Sequence, residues 1–254
     1  MDDFAMLRLQ IEWGADDALD TDPVDRLREV ARPAPAPIRR MEPVVPAPEP
    51  ARGSPAERAF AAAAQAGTLA ALKAAIAAFD GCALRETAGH LVFAEGDQDA
   101  GLLLIGEAPG ADEDRSGRPF AGREGALLDK MLASIALTRE QMLLTPLIPW
   151  RPPGGRPANP GEVAVCLPFL HRLIALARPT RLILMGGLTA NSLLPAAARR
   201  RRATPVWIDC PIPGQSSPLP ALVLPGLSTL SRNPGERRDA WAGLRLLRRT
   251  LNES

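Results

Sequence analysis

Two kinds of apolar pattern alternate along this chain. Short unbroken runs occur at Leu102–Ile105, Met142–Ile148, Arg181–Met185 and Leu222–Leu224, with weaker ones at Leu91–Phe93 and Val206–Ile208. Their length and flanking turn residues fit strands buried on both faces. Between them lie segments with helical spacing and explicit start signals. Ser54-Pro55-Ala56-Glu57 is a capping box with proline at the first helical position. The helix it opens carries Leu69, Leu72, Ile76 and Phe79 on one face and stops near Gly81. Residues 122–137 form another, with Leu127, Leu128, Met131, Leu132 and Ile135 apolar. Asn159-Pro160-Gly161-Glu162 opens a helix running towards Ala177, and Asn233-Pro234-Gly235-Glu236 opens the last, with Trp241, Leu244 and Leu247 inward. Strand and helix in alternation predict an α/β three-layer sandwich, a central parallel sheet of about four strands flanked by helices.

The first 54 residues read differently. Residues 1–32 form a leader, with Phe4, Leu7 and Ile11 spaced for one face of a short helix. Residues 33–54 carry proline at nearly every second or third position, which forbids ladder and helix alike and reads as a disordered linker. The folded domain is expected to span residues 55–254.

Composition adds three constraints. The hydrophobic fraction of 46% in 254 residues supports one α/β domain with a substantial core. No apolar run approaches the roughly 18 residues of a membrane span, and no signal peptide is visible, so no membrane role is expected. Three cysteines, Cys82, Cys166 and Cys210, are too few and too odd for a disulfide framework, which points to a reducing cytoplasm. The net charge of +1 hides an asymmetry: residues 1–54 hold 11 acidic and 7 basic residues, the remainder 18 and 23. A mildly basic domain behind an acidic leader is compatible with nucleic acid.

The chemistry-bearing stretch follows the first strong strand. Gly106-Glu107-Ala108-Pro109-Gly110 sits at that strand's carboxyl end, where open α/β sheets bind ligands. Two glycines around a proline make a tight loop whose N–H groups can face a ligand. Phe120, just before a helix start, can stack on a planar ring. The plain alternative is a structural turn with solvated acids. Arg199, Arg200, Arg201 and Arg202 form the densest charge, on a loop suited to phosphate or simply to solvent.

GEAPGADEDRSGRPFAGREGALLDKML resembles the first motif of family 4 uracil-DNA glycosylases, the iron–sulfur branch. WRPPGGRPANPGEVAVCLPFL, RLILMGGLTANSLL and LSTLSRNPGERRDAWAGL resemble its later segments, so the likeness covers about residues 76–250. Such enzymes flip a damaged nucleotide from the duplex and hydrolyse its N-glycosidic bond. The resemblance implies that Phe120 stacks the base and that Gly106, Ala108, Pro109 and Gly110 line its pocket. It implies that Glu107 or Glu113 positions water, and that Arg232 contacts DNA beside the arginine loop.

The same resemblance exposes departures. Where the family reads uracil with an asparagine, this chain has Pro146. Where it presents a histidine in His-Pro-Ser, the aligned residues are Gly226, Leu227 and Ser228. Cys82 and Cys166 match two cluster ligands, while Phe79 and Trp150 replace the other two. Two thiolates cannot hold a four-iron cluster, so no cofactor and no metal is expected. The resemblance therefore implies a monomeric DNA-repair protein, acting on uracil-containing DNA with reduced excision. The alternative is a non-catalytic protein that binds DNA or damaged bases. The leader is a candidate segment for an unidentified protein partner.

Overall fold

A computed structural model describes residues 53–198 and 205–253, together with Arg8. The leader positions Phe4, Leu7 and Ile11, the linker as far as residue 52, and Arg199 to Arg202 lie outside the described residues.

The domain starts where its capping box stands. Helix α1 spans Pro55–Gln65; the Ser54 hydroxyl accepts from the Glu57 N–H at 3.3 Å, and the Glu57 carboxylate accepts from the Ser54 N–H at 2.6 Å. The single helix expected from Ser54 to Gly81 is in fact two. Gly67 interrupts it, and Thr68 caps a new helix, α2, Leu69–Ala78, by accepting from the Ala71 N–H at 3.1 Å. A short α3 follows at Leu84–Thr87. Because α1 is capped from within, a chain beginning at Ser54 should unfold cooperatively with a midpoint within a few degrees of the full chain. A fragment that is rapidly degraded by protease would show that the first 53 residues are needed for folding.

The sheet has six strands: β1 Glu95–Gly96, β2 Leu102–Gly106, β3 Leu143–Pro146, β4 Arg181–Met185, β5 Trp207–Cys210 and β6 Leu219–Leu224. Their order is β1-β3-β2-β4-β6-β5. The inner four are parallel, as expected, and β1 and β5 close the edges antiparallel. The run Leu91–Phe93 is not a strand. Val92 makes one bond to the Pro149 carbonyl at 2.8 Å, and pairing begins only at Glu95.

Alternation along the inner strands builds the layers. Leu103, Ile105, Leu182 and Leu184 face one core with α1, α2 and helix α6, Pro160–Ala177. Leu102, Leu104, Ile183 and Met185 face the other with α5, Gly122–Ala133, and two last helices, α8, Leu227–Arg232, and α9, Pro234–Asn252. Helix α6 is itself long and apolar enough, by composition, to cross a membrane, which the reading of apolar runs missed. Seven of its residues are buried in the core, so its apolarity is used for packing. In α9, Leu244 and Leu247 are buried as expected, but Trp241 is 46% exposed. The inward stripe runs through Ala240 instead, one turn before Leu244.

Candidate functional site

The carboxyl ends of β2, β4 and β6 converge, and the loops leaving them build the site. The β2 loop, Gly106 to Gly110, enters a short helix α4, Ala111–Ser116. Gly106 carries no side chain for a visible reason: a Cβ there would lie 2.7 Å from the Phe120 ring. The loop backbone is bound to its neighbours. The Gly106 carbonyl accepts from the Leu147 N–H at 2.9 Å and from the buried Thr189 hydroxyl at 2.8 Å.

Glu113 holds loop and aromatic together. One carboxylate oxygen accepts from the Gly110 N–H at 2.5 Å and the other from the Phe120 N–H at 2.7 Å. Burial raises its pKa, and these two N–H groups pull it back. With both oxygens on backbone donors, Glu113 acts as a brace for Phe120. Phe120 is 6% exposed and sits in the left-handed region at φ 53°. Arg139 fixes that turn, donating to the Phe120 carbonyl and, at 3.2 Å, to the Pro119 carbonyl, while it pairs with Asp129.

Glu107 occupies the junction of the three loops. One of its oxygens accepts from the Leu188 N–H at 2.8 Å, in the first turn of α7, Gly187–Leu193. A Cβ at Gly186, whose φ is +107°, would come within 2.3 Å of the Glu107 carboxyl carbon, so only glycine fits there. The other Glu107 oxygen faces Gly226, 3.4 Å from where a Cβ would stand. Of the two candidate carboxylates, Glu107 is therefore the one aimed at the loop end after β6.

A cleft of about 940 Å³ opens beside this junction. It brings together Gly110, Glu113, Ser228 and Arg232, four of the residues singled out in the sequence. Arg232 is exposed and donates to the Ser228 carbonyl at 3.1 Å. Pro146 is buried at the end of β3, in register with Gly106; within the β2 loop Pro109 is buried and Ala108 half-buried. Gly226 is buried at the start of α8. No imidazole and no carboxamide stands at either of these last two loop ends. Of the two histidines, His90 lies on an exposed turn, where its ring meets the Asp114 carbonyl at 2.7 Å. His171 is partly buried on α6, and burial lowers its pKa.

Sequence reasoning missed Glu124, Gly125 and Arg139. Glu124 lines the cleft from the first turn of α5. Although the residue is exposed, the surrounding protein raises its pKa; Arg232 opposes that and Glu107 adds to it. Arg139 lies 19 residues beyond the carbonyl it serves, and no local pattern announces such a bond.

The four cluster positions are all buried. Phe79, Cys82, Trp150 and Cys166 share one buried core, and Phe79 packs edge-on against Phe169 at 5.2 Å. A four-iron cluster takes four thiolates. Two positions here are aromatic rings, and among the described residues no group of three or more His, Cys, Asp or Glu converges. The residues present do not fit that cluster.

Comparison with known proteins places these features in a family. The family model "Uracil DNA glycosylase superfamily" matches residues 93–245. A type-4 uracil-DNA glycosylase of Pyrobaculum aerophilum is 38% identical over 121 residues, 48% of this chain and 62% of that protein. Those of Archaeoglobus fulgidus and Thermotoga maritima are 40% and 35% identical over 110 and 105 residues, each covering 55% of the relative. The chain thus spans roughly 55–62% of the length of the curated relatives it matches.

Proposed function

The chain belongs to the uracil DNA glycosylase superfamily, and from that premise we propose that it binds DNA and removes uracil by hydrolysis of the N-glycosidic bond, weakly and without an iron–sulfur cluster. The observation that carries this reading is the braced loop: Glu113 locks Gly110 and Phe120 to one another, and Glu107 stands at the meeting of three strand ends. Phe120 provides a stacking ring, a contact tolerant of base identity and worth about 1–3 kcal/mol. In this reading Glu107 holds the attacking water, supported by its carboxylate lying between the Leu188 N–H and Gly226. Arg232, on the cleft wall, supplies a phosphate contact, which positions DNA without reading sequence.

The weakness has a physical source. Uracil leaves as an anion, and a donor at its carbonyl stabilises the charge as it forms. Gly226 and Pro146 offer no side-chain donor, and Pro146 lacks even a backbone N–H. That observation also favours the second reading, a protein that binds DNA or damaged bases without cleaving them.

A single-turnover cleavage assay on uracil-containing single- and double-stranded DNA, run beside binding at several salt concentrations, separates the two readings. Slow but protein-dependent release of uracil is expected. Its complete absence, with DNA still bound, would leave only the second. Arg232→Ala should weaken binding to all sequences and lower the slope of log affinity against log salt by about one unit. An unchanged slope would remove Arg232 from the interface.

A further inference from the structure

We propose that the outward face of α9 is a binding tract for single-stranded DNA, continuous with the cleft and leading an unpaired strand away from it. The proposal rests on the reading of that cleft as a DNA site. Helical spacing defines the face. Arg238, Trp241, Arg245, Arg248 and Arg249 stand at i, i+3, i+7, i+10 and i+11 of one helix, Pro234–Asn252. At about 100° per residue they share one sector roughly 100° wide. Arg238, Trp241, Arg245 and Arg249 are exposed, and Arg248 is half-buried at the sector's edge. The acidic residues of the helix, Glu236 and Asp239, fall outside that sector, so it carries four arginines and no carboxylate.

The tract begins at the cleft. Arg237, in the first turn of α9, lines the cleft together with Arg232. Its guanidinium donates to the Leu230 carbonyl at 2.9 Å and to the Ser231 carbonyl at 3.3 Å, which ties the start of α9 to α8. Trp241 stands one turn further on, at i+4 from Arg237, so the two are neighbours on the helix surface. From Arg237 to Arg249 the helix rises about 18 Å, room for several nucleotides of an unstacked strand.

Trp241 selects the single strand. With Phe60 it is one of two large apolar side chains left exposed among the described residues. The cation–π contact among those residues is Arg58 over Phe79, so no arginine covers the indole. A ring flanked by guanidinium groups is the combination that fits an unpaired strand: the cations take phosphates, and a base stacks on the ring. In a duplex both faces of each base are already stacked, and the ring gains nothing. A lipid surface fits the face less well. An interfacial helix buries an apolar face in the membrane, and the apolar stripe of α9, through Ala240, Leu244 and Leu247, is already in the core.

The test uses the full chain and a fluorescent single strand of about 20 unmodified nucleotides, longer than such sites usually span. The blunt duplex of the same sequence is its comparison, and each is titrated at several salt concentrations. Trp241→Ala should weaken single-strand binding by about 5- to 100-fold and leave the salt slope in place, because stacking carries no charge. Trp241→Phe, which keeps a ring, should recover most of that loss, and duplex affinity should change by less than about twofold in both. Arg238→Gln with Arg245→Gln should instead lower the single-strand slope of log affinity against log salt by about 1.4 units, 0.7 for each phosphate given up. Phe60→Ala, on α1 across the sheet from α9, should change none of these. Single-strand affinity and slope unmoved by the α9 variants would overturn the proposal. So would an equal loss of duplex binding in Trp241→Ala, or Trp241-dependent binding to phosphatidylserine vesicles in place of DNA. If Arg232→Ala weakens binding while the α9 variants do nothing, the cleft stands as a DNA site and only the tract fails. If the unsubstituted chain binds neither form of DNA, both readings fall.

Discussion

Restoring Pro146→Asn together with Gly226→His should raise single-turnover uracil excision by on the order of 100-fold, while Gly226→His alone should raise it only a few-fold. Removing one preorganised donor to a developing anion costs about 100- to 1000-fold in rate, and donors that act as a unit do not add simply. The backbone accepts the histidine. Gly226 has φ −64° and ψ 146°, open to any residue, and a Cβ there would meet Glu107, Gly186 and Thr229 at 3.4–3.9 Å, ordinary contact distances. Its imidazole would arrive beside the Glu107 carboxylate, which favours the charged form needed opposite an anion. The asparagine is needed from the other side. Strands β3 and β6 stand three strand spacings apart, roughly 14 Å, with β2 and β4 between them. Two side chains reaching inward from those ends leave about the width of one pyrimidine, and either alone leaves the base held from one edge.

The substitution at Pro146 has a cost that helps to test it. The position is buried, so a carboxamide without a base to bind is an unsatisfied polar group, worth about 1–3 kcal/mol. The double variant should therefore unfold several degrees lower when free and recover part of that loss with a uracil-containing strand. A folded double variant that binds DNA but cleaves no faster would sink this account of the weak site. So would an unsubstituted protein already as fast as an intact type-4 enzyme under matched salt.

How much of this was legible in the sequence depends on the range of the forces involved. The capping boxes at Ser54 and Asn159 are contained within four residues, and both form with both of their hydrogen bonds. The inner strands are announced by unbroken apolar runs because both faces are covered, and β2 and β3 are buried from end to end. The edges were not readable. Strand β1 is two residues long and exists only because Glu95 and Gly96 pair with Leu144 and Leu143. Its place was assigned instead to the more apolar Leu91–Phe93, which packs without pairing. The break between α1 and α2 turns on one glycine inside an otherwise helical pattern, whose cost of about 1 kcal/mol is too small to read with certainty. In the site, the motif residues fell where the strand ends converge. The residues that hold them, Arg139 and Gly125, are common types whose roles arise only from partners distant in sequence or from close backbone approach.

Gly125 makes that last point measurable: Gly125→Ala should destabilise the protein by about 2–4 kcal/mol, although alanine is the better helix former by about 1 kcal/mol. The glycine lies buried in the first turn of α5, and a Cβ there would stand 1.7 Å from the Phe120 carbonyl oxygen and 2.8 Å from an Arg139 nitrogen. Neither neighbour can step aside cheaply. The Phe120 carbonyl is backbone at positive φ, its N–H is held by Glu113, and the oxygen itself is the acceptor for Arg139. Moving it breaks a charge-assisted bond worth about 1.5–3 kcal/mol and tilts the ring off Gly106. Steric and hydrogen-bond losses thus outweigh helix propensity. For a domain of this size the unfolding midpoint should fall by roughly 5–15 °C. Binding should report the same displacement selectively: preference for DNA carrying a flipped or unpaired uracil should drop by about 5- to 100-fold as the stacking ring is lost, while binding to undamaged duplex, governed by phosphate contacts, stays nearly level. Gly187→Ala, also in the first turn of a helix but with nothing within 4 Å of the new Cβ, should be neutral or slightly stabilising. If the two variants unfold at the same temperature, the close approach of α5 to the Phe120 turn does not position the ring.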